Sequence, residues 1–232
     1  MDQVQDAYTE WAAGYDHFAK KNIGIIKNYP VILGMIEKEP RKDRGLELGC
    51  GTGLLTVKLS KYCPEIIGLD FSEPMLQEAR KKSSLGAKMS FQTGDITKSL
   101  PFNNDFFDFV VASLVFNHIE NIEPIVNEIQ RVLKIGGILV FDEADMTPRT
   151  PEQLKHKLRV AELDPLLKRR DEGIGIWFGR PLDKVKSLLE RAGFKVEDVA
   201  KTVVDKELEP IVENYQHHKG RVFSLIIKAR KI

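Results

Sequence analysis

The sequence predicts an α/β fold in which helices cover both faces of a doubly wound, mostly parallel sheet. Apolar segments such as 65–70 and 107–112 are hydrophobic throughout and alternate with helical segments. Strands that are apolar on both faces are typical of a buried parallel sheet. Short connections between them favour right-handed crossovers. A third observation is the glycine-rich turn at 49–53, which joins the first strand to the first helix of the sheet.

The individual elements follow from apolar periodicity, capping residues and glycine breaks. Ser72 is predicted to cap a helix, and Gly136-Gly137 to end one. Strands are expected at 45–48, 65–70, 89–92, 107–112, 138–141, 194–204 and 222–228. Helices are expected at 54–62, 73–84, 122–133, 151–160 and 181–192, and residues 1–43 are expected to be helical.

Composition and charge indicate an ordinary globular domain. The 232 residues are 42% hydrophobic and 30% charged, and the net charge is +1 from 35 basic and 34 acidic residues. This balance gives no electrostatic reason to expect a nucleic-acid partner. No apolar run approaches the roughly 18 residues of a membrane span, so no membrane association is expected.

The terminus and the cysteines indicate a cytoplasmic protein without a structural metal. The first residues are polar and acidic, unlike a signal peptide. Cys50 and Cys63 lie in no metal-ligand spacing, and two cysteines make a disulfide framework improbable. The adjacent His217 and His218 have no supporting ligands nearby in sequence and are interpreted as surface residues.

The glycine turn and two acidic residues suggest a bound ligand. Gly49, Gly51 and Gly53 allow a sharp turn and close approach of a ligand to the backbone, opposite a helix N-terminus. The spacing is not G-x-G-x-x-G, which argues against a dinucleotide-binding oxidoreductase. Asp70 ends the next strand, where a carboxylate can accept ribose hydroxyls, and Asp95 follows the third strand. Each acid alone could equally be a cap or a surface residue.

These segments together resemble a known family. The residues are Glu47-Leu48-Gly49-Cys50-Gly51-Thr52-Gly53, Gly68-Leu69-Asp70-Phe71-Ser72-Glu73-Pro74-Met75-Leu76, Gly94-Asp95 with Leu100-Pro101-Phe102, and Leu133-Lys134-Ile135-Gly136-Gly137. They are similar to the class I S-adenosylmethionine-dependent methyltransferases, nearest to the small-molecule and quinone-biosynthesis subgroup. The resemblance is strong over residues 40–142 and concerns only architecture elsewhere.

The resemblance implies a cofactor, S-adenosylmethionine, with S-adenosylhomocysteine as product, and a sheet order of 3-2-1-4-5-7-6 with the seventh strand antiparallel. It implies that the glycine turn contacts the methionine part, Asp70 the ribose, and Asp95 and Ile96 the adenine, which Phe71 flanks. The complete set of expected cofactor-binding residues is Tyr15, Glu47, Gly49, Cys50, Gly51, Gly53, Asp70, Phe71, Met75, Asp95, Ile96 and Ser113.

The chain is accordingly divided as one methyltransferase domain over 1–232. Its expected parts are a helical cap or lid (1–43), a cofactor-binding core (44–142), an insertion (143–180) and the C-terminal part of the sheet (181–232). In the cap, Tyr8, Trp11, Tyr15 and Phe18 recur at helical spacing. Core packing is the ordinary interpretation of such a stripe; the functional one is a lid in which Tyr15 contacts the methionine carboxylate.

The methyl acceptor is expected beyond the fourth strand, bordered by residues 113–118. His118 is the candidate general base, although a lone histidine in this position is more often structural. Trp177-Phe178-Gly179-Arg180 either lines this pocket or packs the insertion. The fourth strand lacks an Asn/Asp-Pro-Pro-Tyr sequence and the chain a Pro-Cys nucleophile, which favours a small-molecule acceptor. The alternative function is a non-catalytic S-adenosylmethionine-binding regulatory module. Oligomeric state is not readable from the sequence.

Overall fold

The computed structural model describes residues 8–40, 43–83, 88–144, 179–210, 219–220 and 222–232. Its centre is a seven-stranded sheet of order β3-β2-β1-β4-β5-β7-β6, in which only β7 is antiparallel to its neighbours. The strands are β1 (Arg44–Leu48), β2 (Glu65–Asp70), β3 (Lys88–Thr93), β4 (Phe107–Ala112), β5 (Leu133–Ala144), β6 (Phe194–Val203) and β7 (Val222–Lys231). The predicted fold class and strand order are confirmed.

Six α-helices flank the described part of the sheet. They are α1 (Tyr15–Ala19), α2 (Ile23–Glu37), α3 (Leu54–Leu59), α4 (Glu73–Arg80), α5 (Glu123–Val132) and α6 (Leu182–Arg191). Ser72 caps α4 as predicted, because its Oγ accepts a hydrogen bond from the Met75 amide at 3.4 Å. Helix α3 ends at Leu59, before the predicted end at residue 62, since the chain turns there towards β2.

The central strands are buried on both faces, as their apolar sequences require. All six residues of β4 are buried, and β4 lies between β1 and β5 at the middle of the sheet. One large apolar cluster fills the space under α5 and α6, and a second lies under α2 and α3. The carboxyl ends of β1, β2 and β4 therefore meet at one edge, where a doubly wound fold places its ligand.

Strand β5 is longer than its sequence indicates. It begins directly after α5 at Leu133 and includes the glycine pair that was expected to separate the helix from the strand. Gly136 takes a φ of +79°, and the pairing with β4 shifts register between Phe107 and Phe109. The glycines thus form an irregularity within the strand. At its other end, β5 continues to Ala144, so Asp142 and Glu143 are strand residues.

The cap is helical, but its aromatic stripe does not lie on one regular helix. Residues 8–11 are α-helical, Ala12–Gly14 form a 3-10 turn, and α1 follows. The turn changes the helical phase, and Phe18 is left exposed at 38%. Tyr8, Trp11 and Tyr15 nevertheless pack together, with ring centroids 5.5 Å apart for Tyr8 and Trp11.

Helix α2 is fixed to the sheet by ion pairs near both of its ends. Near its start, Lys27 pairs with Asp205 at 2.6 Å, in the segment that follows β6. Just beyond its last residue, the buried Glu39 pairs with Lys228 and Arg230 of β7. These pairs, with the apolar face of α2, bind the second half of the cap to the sheet.

Several sequence predictions lie outside the described residues. They are the helix at 151–160, most of the insertion with Trp177 and Phe178, the pair His217-His218 and the first seven residues. Within the described residues, no helix combines the length and apolar character that crossing a membrane demands.

Candidate active site

The glycine turn follows β1 at the edge where the parallel strands end. Gly49, Gly51 and Gly53 all have positive φ, at +65°, +52° and +76°. A side chain at Gly49 would collide with Val115, since its Cβ would lie 2.4 Å from Val115 Cγ2. At Gly51 no described heavy atom lies within 4 Å of that Cβ position. The middle glycine therefore borders open space, as close ligand approach requires.

Asp70, at the tip of β2, is bonded directly to this turn. Its Oδ2 accepts a hydrogen bond from the Gly51 amide at 2.8 Å, and its Oδ1 accepts one from the Ser72 amide at 2.9 Å. The residue is only 6% exposed, and burial raises the pKa of the carboxyl although both amides oppose the shift. The Phe71 amide also interacts with the carboxylate, whose two oxygens can together accept up to about four donors.

Glu47 lies beneath the turn. Its carboxylate is buried in β1 and accepts a hydrogen bond from the Thr56 hydroxyl of α3. Burial raises its pKa to about 8, and the charge of Asp70 adds to the shift. Cys50, beside it, is also buried, and its sulfur fills the space that a side chain on Gly68 would need.

The residues expected at the adenine follow β2 and β3. Phe71 is half-buried, and Ile96 is buried. Asp95 uses Oδ1 to hold its own turn, accepting from the Thr97 amide at 2.8 Å and hydroxyl at 2.6 Å. A ligand bound by Asp95 would therefore contact Oδ2. Met75 is buried on the inner side of α4, and its amide faces the Ser72 cap.

The cap contacts the glycine turn through Asp16, which follows Tyr15 and was not among the expected cofactor-binding residues. Asp16 accepts a hydrogen bond from the Thr52 hydroxyl at 2.6 Å and pairs with Lys82 at 2.8 Å. Lys82 also donates to the Thr52 carbonyl at 2.8 Å. Tyr15 stands beside this contact. Burial, followed by the nearby Tyr8 and Asp70, raises the pKa of its hydroxyl.

A hydrogen bond joins the cap to the predicted acceptor loop. Tyr8 Oη and His118 Nε2 are 3.1 Å apart, and their rings meet edge to face at 5.8 Å. The Tyr8 ring also contacts Phe71, at 6.3 Å. Tyr8 therefore lies between Phe71, which is expected at the adenine, and the candidate base His118. The sequence pattern placed Tyr8 in the aromatic stripe but gave no sign of this pairing.

Ser113 lies at the tip of β4, close to the end of β5. Its hydroxyl donates to Asp142 Oδ2 at 3.0 Å. The next residue of β5, Glu143, pairs with Arg180 at 3.2 Å, and Arg180 also donates to the Phe116 carbonyl. Burial raises the pKa of Glu143 to about 7, against the opposing charge of Arg180. Asp142 was missed, although it directly follows an apolar run in the sequence, as Asp70 does.

The stretch from the end of β1 to β5 matches a family model. Residues 46–141 match a model described as a methyltransferase domain. Residues 46–141 thus form a methyltransferase domain, similar to the class I S-adenosylmethionine-dependent enzymes. The matched stretch contains the glycine turn, Asp70, Asp95 and the 133–137 segment, which are among the features that carried the resemblance in the sequence.

Curated methyltransferases are similar to this chain over part of their length. The malonyl-[acyl-carrier protein] O-methyltransferase of Legionella pneumophila is 31% identical over 142 residues, 60% of this chain and 49% of that protein. The demethylmenaquinone methyltransferase of Staphylococcus saprophyticus is 31% identical over 156 residues, 65% of each protein. The matches thus span about half to two thirds of these relatives.

Solved structures share the fold of this chain. A magnesium protoporphyrin IX methyltransferase from Synechocystis PCC 6803 with bound S-adenosylhomocysteine has a TM-score of 0.68 at 18% identity, covering 99% of this chain and 98% of that one. An S-adenosylmethionine-dependent methyltransferase from Mesorhizobium loti has a TM-score of 0.65 at 23% identity, covering 86% and 95%. At these identities the likeness concerns the fold.

Glu47 should make the stability of the protein depend on pH. Because its folded pKa of about 8 lies above its ordinary 4.5, the folded state favours the protonated acid. That stabilising contribution is complete below about 4.5 and is lost as the pH rises through about 8. Urea unfolding at pH 6, 7, 8 and 9 should therefore show Glu47→Gln gaining stability relative to the wild type as the pH rises.

The exposed Glu209→Gln is the control for this comparison, and its profile should follow the wild type throughout. Parallel pH profiles for the wild type and Glu47→Gln would contradict the predicted titration of Glu47.

Proposed function

We propose that this chain transfers the methyl group of S-adenosylmethionine to a small-molecule acceptor. The observation that carries the proposal is the bond between Asp70 and the Gly51 amide, which holds a carboxylate at the rim of an open glycine turn. This is the arrangement that a ribose lying across two strand tips requires. The names of the curated relatives, which specify acceptors such as demethylmenaquinone, support a small acceptor.

The residues at the turn fit the cofactor. Open space over Gly51 admits a ligand against the backbone, and Asp70 presents acceptor lone pairs beside it. We assign the methionine part to the turn and Tyr15, the ribose to Asp70, and the adenine to the side of Phe71 and Ile96. The further residues proposed to line this site are Glu47, Gly49, Cys50, Gly53, Met75, Asp95 and Ser113.

The acceptor is placed between the cap and the loop after β4. Tyr8 and His118 meet there, and the Arg180–Glu143 pair holds the far side of the loop through the Phe116 carbonyl. When bound, S-adenosylmethionine supplies a methyl group on a sulfonium, whose departure leaves a neutral thioether. The chain must mainly orient the acceptor and exclude water, and orientation alone can supply a large share of the rate.

The cap is proposed to act as a lid. Residues 8–19 reach the glycine turn through Asp16 and the acceptor loop through Tyr8, so they bridge the two proposed halves of the site. Both contacts are polar and partly exposed, and such contacts open more readily than apolar packing.

Asp70→Asn should weaken binding of S-adenosylhomocysteine about 10-fold or more, measured by calorimetric titration. Both carboxylate oxygens accept backbone amides, and an asparagine has only one oxygen to offer them. Asp198→Asn, an exposed change on β6, controls for the lost charge and should leave the affinity unchanged. Unaltered affinity in Asp70→Asn would remove this residue from the site.

Amide hydrogen exchange over residues 8–19 should slow when S-adenosylhomocysteine is added, because the lid closes on the ligand. Asp16→Asn should speed exchange in the same segment without ligand, since it weakens the contacts to Lys82 and Thr52. High protection that ligand does not change would show that the segment is fixed packing.

A screen of a metabolite library for S-adenosylhomocysteine formation tests the proposed activity. With the acceptor so found, His118→Ala should lower the melting temperature and change turnover by less than about 3-fold, because alignment can carry methyl transfer without a base. Tyr8→Phe is the matched variant, since it removes the same hydrogen bond and keeps both rings.

A fall in turnover of about 100-fold in His118→Ala alone would instead identify a general base. Tight cofactor binding with no acceptor-dependent product across the library would favour the regulatory module.

A further inference from the structure

The chain turns out of β4 at a residue with an unfavourable backbone conformation. Leu114 has a φ of +59°, in the left-handed region that disfavours residues with a side chain. Such a conformation persists only where the surroundings hold it. Here the Leu114 amide donates to Asp142 Oδ1 at 2.7 Å. The carboxylate of β5 therefore holds the kink.

The kink directs two consecutive side chains to two different glycines. Leu114 covers Gly24 of α2, where a Cβ would lie 2.7 Å from Leu114 Cδ2. Val115 covers Gly49 of the glycine turn. The 113–118 loop is thus seated against the cap on one side and the glycine turn on the other. Its position depends on the direction that the chain takes at Leu114.

Asp142 is buried, at 4% exposure, and belongs to a polar network that reaches the cap. Its Oδ2 accepts from Ser113 at 3.0 Å and from Asn28 of α2 at 2.6 Å. Asn28 in turn accepts from the Thr202 hydroxyl at 3.0 Å and donates to Ser224 at 3.3 Å. A buried network of this kind fixes one arrangement, because a broken member leaves unpaired polar groups.

We propose that Asp142 is a positioning residue that sets the acceptor loop by holding Leu114 in its left-handed kink and tying the loop to the cap through Asn28. This inference rests on the proposed function, in which the 113–118 loop borders the acceptor. The effect of Asp142 on the geometry of the loop can be tested without any acceptor. Asp142 acts as a hydrogen-bond acceptor, so an asparagine can replace it. The Asn oxygen would accept from Leu114, and its amide would donate to Ser113 and to an Asn28 side chain rotated end for end.

The test compares Asp142→Ala with Asp142→Asn by amide hydrogen exchange. In Asp142→Ala, exchange across residues 114–118 should accelerate at least 10-fold, while the amides of β1 change less than 2-fold. In Asp142→Asn, protection of the loop should return to within about 3-fold of the wild type. The control Ser224→Ala disturbs the same network away from the loop and should leave residues 114–118 protected.

Measuring cofactor affinity distinguishes a role of Asp142 in positioning the loop from a role in supporting the glycine turn. The turn is held independently by the amides of Gly49 and Cys50 on the Leu69 carbonyl, at 2.7 and 3.1 Å. S-adenosylhomocysteine should therefore bind Asp142→Ala within about 3-fold of the wild type. With an acceptor from the screen, the same variant should show a raised acceptor KM. Equal loss of protection everywhere, or failure of asparagine to restore it, would overturn the proposal.

A double-mutant cycle keeps the proposal testable if Asp142→Ala folds poorly. Leu114→Gly should lower the melting temperature of the wild type, because it removes a packed side chain. In the Asp142→Ala background, where no carboxylate supports the kink, the same change should lower the melting temperature measurably less. The reason is that glycine adopts the kink without strain. Equal effects in both backgrounds would show that the carboxylate does not hold Leu114.

Discussion

The Asp70 carboxylate joins the glycine turn, the tip of β2 and the start of α4. Its two oxygens bind the amides of Gly51 and Ser72, so the tip of β2 fixes both the middle of the turn and the start of α4. Backbone bonds to the Leu69 carbonyl hold the first residues of the turn, whereas the Gly51 amide at its middle is held by the Asp70 side chain. A single buried acid therefore sets the shape of the opening and supplies its charge.

The two proposed halves of the site are assembled in different ways. The cofactor half comes from neighbouring strand tips, and its hydrogen bonds join residues close in sequence or on adjacent strands. The acceptor half combines Tyr8 from the cap with the loop after β4. It also includes Asp142 of β5 and Arg180, which precedes α6. Such an arrangement allows the acceptor half to vary among relatives while the cofactor half stays constant.

This difference explains how much the sequence predicted. The glycine turn, Asp70 and the Ser72 cap rest on local patterns of polarity and spacing, and the strand order rests on the family resemblance; the structure contains all four. The contacts of Asp16 with Lys82 and of Tyr8 with His118 join residues far apart in the chain, so no local pattern indicates them. The length of β5 was wrong because two glycines usually end an element, whereas here they form an irregularity within it.

Asp142 was not among the site residues that the sequence predicted. It directly follows an apolar run just as Asp70 does, but the predicted strand stopped one residue earlier, at Phe141. Its role also depends on the left-handed backbone of Leu114, and leucine gives no sequence signal for that conformation. Backbone strain of this kind becomes visible only with the coordinates.

The ion pairs of α2 distinguish two parts of the cap, α2 itself and residues 8–19. Lys27 and Glu39 form ion pairs with the β6–β7 side of the sheet near both ends of the helix, and these pairs hold α2 in place. Residues 8–19 lie on the other side of a short turn at 20–22, where Asn22 caps α2 through the Ile25 amide. Any movement of the first half of the cap would therefore hinge at this turn, and its swing would carry Tyr8 and Asp16 together.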